Sequence, residues 1–208
     1  MTERPAPGRR ATAVLVAVLL LAAAAVAASA FLRSGGPGPD GPEAGFARDM
    51  SAHHAQAVRM SFIVRDRTRD ERVRLLAYDI ANTQSQQIGM MTAWLDEWDA
   101  PKADPGGSMR WMGHGAHGGG AGGASGARMP GMATEAQIGE LQKADGRDAE
   151  TRYLSLMIEH HRGGVEMARA VLARTGHDRV ERLARTMVDG QEAEIRLMEG
   201  MLRERGAR

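Results

Sequence analysis

Two adjacent histidines stand in the middle of "RDMSAHHAQAVRM", Arg48 to Met60, and again in "LMIEHHRGGVEM", Leu156 to Met167. One helical turn before each pair lies a methionine, Met50 before His53 and Met157 before His160; two turns after it lies another, Met60 or Met167. The chain has 14 methionines, 7 histidines and no cysteine. Disulfides, thiolate metal sites and cysteine nucleophiles are therefore excluded, which leaves thioether, imidazole and carboxylate chemistry. Imidazole with thioether suits copper, because thioether favours Cu(I) and imidazole accepts either Cu(I) or Cu(II). Zinc would ordinarily want cysteine, carboxylate or more histidines. A di-iron carboxylate centre needs Glu-x-x-His motifs on two helices, and the residues three before the histidines are Met50, Ser51, Met157 and Ile158.

Further soft ligands lie in a glycine-rich stretch, "GGSMRWMGHGAHGGGAGGASGARMPGM", where Met109, Met112, His114, His117, Met129 and Met132 fall. On a flexible chain these could form a loose, exchangeable site that loads or unloads a folded one. A low-complexity spacer with incidental methionines is the plain alternative.

Other chemistries find little footing. Net charge is +1 and aromatics are 4%, with no basic patch interleaved with aromatic residues, so nucleic-acid binding is not expected. Asp96, Glu97 and Asp99 read as a solvated helix end rather than a catalytic pair. No serine sits in a nucleophile elbow, and the glycines lack the lysine and strand of a phosphate loop. No enzymatic turnover is expected.

The elements that would position the histidines come as a repeat. Residues 46–98 laid over 153–205, at a constant offset of 107 and without a gap, are identical at 17 of 53 positions. The matches include both histidine pairs, all four methionines, Thr68/Thr175, Gln84/Gln191 and Met91/Met198. Each copy reads as two helices around a turn near Thr68–Asp70 or Thr175–Gly176. Met50, Ala57, Met60, Ser61 and Val64 share one face, and Val73, Leu76, Ile80, Ile88, Met91 and Leu95 form the stripe opposite. No strand-like alternation occurs. The fold expected is all-α: a four-helix bundle of two repeated hairpins, 43–98 and 134–205. "TEAQ" at Thr134–Gln137 signals a capping box that opens a short extra helix. The linker 99–133 is long enough to run the length of the bundle, so the second hairpin can start at the opposite end.

Residues 1–33 carry Arg4, Arg9 and Arg10 before an uncharged run from Ala11 to Leu32. As a helix that run is about 33 Å long, enough to span a bilayer core, and the leading arginines place the rest of the chain outside the cytoplasm. The alternative is a cleaved signal, with "ASA" at Ala28–Ala30 as the cleavage site. Residues 34–42, "SGGPGPDGP", form a flexible tether. Membrane anchoring with an external domain, or secretion after cleavage following Ala30, are the two expected locations.

On a helical wheel His53 and His54 flank the line through Met50 and Ala57, so both can look inward, as can His160 and His161. A lone histidine there would more often be an inert core-edge residue; a pair kept in both copies points to a site. Counting outward from the turn sets Gln84 beside His53/His54 and Gln191 beside His160/His161. Each glutamine is expected to hydrogen-bond an imidazole N–H and so fix the ring for ligation by its other nitrogen. With helix midpoints level, His53/His54 would face Met167 and His160/His161 would face Met60, giving two His/Met clusters.

The stretches "GFARDMSAHHAQAVRMS", "LAYDIANTQSQQIGMMTAWL", "MPGMAT" and "YLSLMIEHHRGGVEMA" closely resemble the bacterial family called domain of unknown function 305, over roughly residues 43–203. The resemblance implies a ferritin-like helical bundle, extracytoplasmic in many members and linked to copper binding or tolerance in some. It also implies a ligand set of Met50, His53, His54, Met60, Met157, His160, His161 and Met167. The chain departs from the family at Ala149 and Glu150, where many members have an aromatic residue and an acid; a carboxylate role there is in doubt.

The reading is an extracytoplasmic copper-binding protein that sequesters the ion or passes it on. Its direct partner is the metal ion; a second copy of the chain or a copper-handling protein could be others. The rival readings are a metal-free structural or interaction module of the cell envelope and a metal-dependent oxidase.

Overall fold

The computed structural model describes residues 7–33, 36–103, 106–112 and 129–206. His114 and His117 therefore lie outside the described residues. Two compact units divide the chain, Met1–Gly36 and Pro37–Arg208. The first holds one helix, α1 (Pro7–Arg33). Of its side chains, Thr12 and Val14–Val26 are described, and the latter run covers about 20 Å of helix. Among the described residues no helix is long and apolar enough to cross a membrane.

The second unit contains α2 (Pro42–Arg67), α3 (Glu71–Glu97), a short 3₁₀ turn at Arg110–Met112, α4 (Glu135–Lys143), α5 (Gly146–Leu172) and α6 (Asp178–Glu204). No strand occurs among the described residues. Local chemistry sets several of the helix starts. Pro42 opens α2, where its missing N–H costs nothing. The Asp70 carboxylate accepts from the N–H groups of Arg72 and Val73 to start α3. Thr134 and Gln137 form the expected capping box at α4.

Helices α2 and α3 pack as one hairpin, α5 and α6 as another, and the hairpins meet through α2 and α5. These two central helices are antiparallel. Thr68, just past the end of α2, donates to Glu150 near the start of α5 at 2.5 Å. Near the opposite end, Thr175 donates to Glu43 at 2.9 Å. Under the offset of 107 the two contacts are images of each other, so an approximate two-fold axis relates the hairpins. The first hairpin finishes at one end and α5 begins at the other, so the chain between them, α4 included, bridges the two ends.

The buried apolar residues fall into two clusters. One gathers the N-terminal half of α2, the C-terminal half of α3 and the neighbouring halves of α5 and α6, and includes Met50, Met91, Met167 and Met187. The other gathers the opposite halves and includes Met60, Met157, Met198 and Met201. Between them lies a polar layer that contains both histidine pairs.

The linker is more ordered at its ends than its composition suggests. Met109 and Met112 are buried in the first cluster, which corrects their assignment to a loose arm. The reason is Asp49. Its Oδ2 accepts the Met109 N–H at 2.7 Å and the Trp111 indole N–H at 2.9 Å, fixing the turn although Met109 sits at φ +69. At the far end, residues 129–133 form a strap over the middle of α2 and α5. Gln56 holds it with two hydrogen bonds, donating to the Ala133 carbonyl at 2.9 Å and accepting its N–H at 2.8 Å. The image of Gln56 is Gly163, which makes room: a Cβ there would lie 2.1 Å from the Pro130 carbonyl oxygen. The strap thus crosses near the two-fold axis, and its Met132 is half-buried.

Gly163→Ala should lift the strap. Overpacking against a backbone carbonyl costs about 1–3 kcal/mol, more than the helix-propensity gain of about 1 kcal/mol. The expected result is a Tm a few degrees lower. Gly190→Ala in α6, where a Cβ meets nothing within 4 Å, should hold or raise the Tm. Thermal melts of the two variants check this.

Candidate metal centre

His53 and His160, equivalent residues of the two copies, stack at the crossing of α2 and α5. Their ring centroids are 3.8 Å apart and their planes 32° from parallel. His54 and His161 lie outward of this pair, at 6.4 and 6.3 Å from their neighbours. All four rings are buried. The level arrangement differs from the one expected from helix midpoints: His53 faces His160 rather than Met167, and Met60 lies near the level of Tyr153, whose hydroxyl is 3.0 Å from Ser61 Oγ one residue on. The result is one central imidazole layer flanked by methionines, not two separate His/Met clusters. Met50 and Met167 lie on one side of the layer, and Met60 and Met157 on the other. All four are fully buried.

Every ring places its Nε2 on an oxygen. His53 Nε2 is 3.0 Å from the Pro130 carbonyl of the strap. His160 Nε2 is 3.0 Å from the His53 carbonyl. His54 Nε2 is 2.7 Å from Gln87 Oε1, and His161 Nε2 is 2.7 Å from Glu194 Oε2. Oxygens of these kinds accept, so each ring donates from Nε2. In a neutral ring the lone pair is then on Nδ1. The Nδ1 atoms of His53, His54 and His161 are buried with no hydrogen-bond partner.

The residues that hold the outer rings are Gln87 and Glu194, images of each other under the offset of 107. The expected partners, Gln84 and Gln191, are buried in the same region, but no hydrogen bond joins either to an imidazole, and the Oε1 of each is without a partner. The displacement is three residues along the helix and has a geometric cause. Side chains lean toward the N-terminus of their own helix. In a hairpin, the α2 imidazoles therefore lean away from the turn and the α3 side chains lean toward it, so they meet farther along α3 than a count of backbone positions suggests. Gln191 instead lies against Gly164, where a Cβ would be 2.3 Å from its Oε1.

Burial dominates the electrostatics. It pushes the His53 imidazole down from 6.5 to about 4, with the strap carbonyl opposing and the His161 charge assisting. Burial, then the neighbouring His53, pushes His54 down to about 3. His160 is held well below 6.5, by burial first and then by the other three rings. His53, His54 and His160 are thus held uncharged at neutral pH, which is the form that binds metal. Glu150 takes no part in it: its carboxylate is engaged by Thr68 and by Arg205 Nε at 2.9 Å.

No group of three or more His, Asp and Glu side chains able to hold a metal ion occurs among the described residues. A ligand set here would need the thioethers or the glutamine oxygens as well. The donors fit a soft or borderline ion: neutral Nδ1 atoms with nothing else to bind, a fixed proton on each Nε2, and buried methionines one turn away along each central helix. Met129 packs against the first apolar cluster from the strap side.

The metal-free protein should lose stability on acidification between pH 6.5 and about 4. In that window the unfolded chain binds protons at His53 and His54 that the native state refuses, so unfolding becomes easier as pH falls. The depressed pKa of His53 alone corresponds to roughly 3 kcal/mol. Urea unfolding at pH 7 and pH 4.5 measures this loss, and His54→Leu should make it smaller.

No curated protein matches the chain, but solved structures do. A DUF305 protein from Streptomyces coelicolor, named as secreted, is 55% identical over 81% of this chain and 96% of its own, with a TM-score of 0.74. A DUF305 fragment from Deinococcus radiodurans is 35% identical over 81% of this chain and 99% of its own, with a TM-score of 0.65. CopM in its Cu(I)-bound form shares the fold, with a TM-score of 0.58 at 21% identity over 78% of this chain and 96% of its own. The domain of unknown function DUF305 itself matches residues 43–202. With the duplicated His-His layer inside that span, the chain belongs to the DUF305 family.

Proposed function

We propose that this protein binds copper in its imidazole layer, outside the cytoplasmic membrane, and stores the ion or hands it on without chemical turnover. The observation that carries the reading is the set of three buried Nδ1 atoms left without a partner while every Nε2 is held by an oxygen. An unpaired buried acceptor costs about 1–3 kcal/mol, and bound metal would relieve that cost. His53, His54, His160 and His161 would supply nitrogen, and Met50, Met60, Met157 and Met167 thioether sulfur. Gln87 and Glu194 would orient the outer rings in the roles first expected of Gln84 and Gln191. The two hairpins would act as a four-helix bundle of the ferritin-like kind, with α2 and α5 as its central pair. CopM, which has the same fold, is known in Cu(I)-bound, Cu(II)-bound and Ag-bound forms, and this supports copper within a site for soft ions.

The location rests on the N-terminal sequence. Three arginines ahead of an apolar run favour export, and a relative named as secreted agrees. The chain would be anchored through α1, or free if cleaved after Ala30. The strap methionines Met129 and Met132 remain candidates for a transfer site, whereas Met109 and Met112 serve the core.

Titration of the protein with Cu(I) and Cu(II) against competing chelators tests the proposal. Binding tighter than about micromolar, near −8 kcal/mol, is expected for at least one oxidation state, and replacing all four paired histidines by leucine should abolish it. Wild-type protein that folds but binds neither ion at that level would return the chain to the metal-free interaction reading.

A further inference from the structure

The approximate two-fold symmetry is broken at the point where it bears most on a bound ion. His54 and His161 occupy equivalent positions and donate over the same 2.7 Å to residues 33 positions further along the chain. One acceptor is the neutral amide of Gln87; the other is the carboxylate of Glu194. Both outer rings are fully buried and both leave Nδ1 unpartnered. The two halves of the layer therefore offer the same donor atom with the same hydrogen-bond length and differ by one unit of charge behind it.

We propose that this difference sorts copper by oxidation state: the His161 side, backed by Glu194, prefers Cu(II), and the His54 side, backed by Gln87, prefers Cu(I). This rests on the copper reading above. A carboxylate behind an imidazole raises the ring's basicity and offsets positive charge in a dry site, and the benefit grows with the charge on the ion. A neutral amide orients its ring equally well without that offset, which leaves thioether sulfur to select the softer, singly charged ion. The wider surroundings of the two acceptors also differ. Gln87 lines a groove of about 520 Å³ between α3 and α6, together with Met90, Trp94, Arg179 and Arg182. Arg179 is paired with Glu97 across this groove. The groove thus carries cationic side chains in its lining and an exposed thioether, Met90. Glu194, by contrast, is bonded to no arginine or lysine among the described residues, so its charge acts on the His161 ring. Gln87 and Glu194 are positioning residues here; neither need touch the metal.

Near-isosteric exchange tests the idea in the full-length protein. Glu194→Gln, Gln87→Glu and the double exchange would be titrated separately with Cu(II), followed by electron paramagnetic resonance, and with Cu(I) against a Cu(I)-specific chelator. Glu194→Gln should weaken Cu(II) binding about 10- to 100-fold while leaving Cu(I) affinity within a few-fold. Each tenfold change corresponds to about 59 mV in the one-electron couple. Gln87→Glu should create a second Cu(II)-preferring site, and the double exchange should move the preference to the other half with the total unchanged. Equal loss of both ions in Glu194→Gln, or an unaltered Cu(II)-to-Cu(I) ratio in both single variants, would overturn the proposal. If Glu194→Gln fails to fold, Gln87→Glu decides alone. Wild-type protein that binds no copper brings down the functional reading and this inference together, an outcome separate from copper binding that ignores the exchange.

Discussion

Four imidazoles buried at one level of a helical core impose the constraint around which the rest is arranged. A buried N–H without an acceptor is costly, so each ring needs an oxygen within reach, and the fold supplies four from different sources. One comes from the linker strap, one from the backbone of α2, one from α3 and one from α6. The apolar core is consequently split in two. The strap cannot be a passive connection, because the Pro130 carbonyl is the acceptor for His53. The two outer helices must each turn a polar residue inward at mid-length. The nitrogens that face no oxygen are what remain for a ligand.

Much of this arrangement was legible in the sequence, for identifiable reasons. A gapless offset of 107 exposes a duplication without other sequences, and duplicated periodicity gives two hairpins. The turn at Thr68–Asp70, the capping box at Thr134 and the crossover of the linker follow from local chemistry and chain length. That the histidines face inward follows from their place on the wheel beside Met50 and Ala57.

What escaped was register and order. Levelling helix midpoints placed the rings opposite methionines, whereas the Thr68–Glu150 and Thr175–Glu43 contacts at the helix ends draw equivalent rings together. A count along the backbone points to Gln84 because it ignores the lean of side chains; Ile88, on the expected apolar stripe, is only half-buried, and Gln87 fills the inward position beside it. Composition also misled at Met109 and Met112. Glycine-rich sequence reads as flexible, but a tryptophan within it needs a surface to cover, and Gly45 provides one: a Cβ there would lie 2.6 Å from the Trp111 ring. The glycine that follows the second histidine pair carried a comparable signal, since Gly163 stands where the first copy has Gln56 and both serve the strap.

Stacking of His53 on His160 across a local two-fold axis makes the contact between hairpins isologous, with the same patch on both sides. A single hairpin could pair with another copy of itself in this manner, so the chain is in effect a homodimer written as one polypeptide. Joining the halves released each from the requirement to match the other. Arg205, tied to Glu150 and Asp70 at one end, corresponds to Trp98, which packs against His177 at the other. Two identical subunits could hold neither that contrast nor the one between Gln87 and Glu194. Fusion thus lets a symmetric scaffold carry an asymmetric interior.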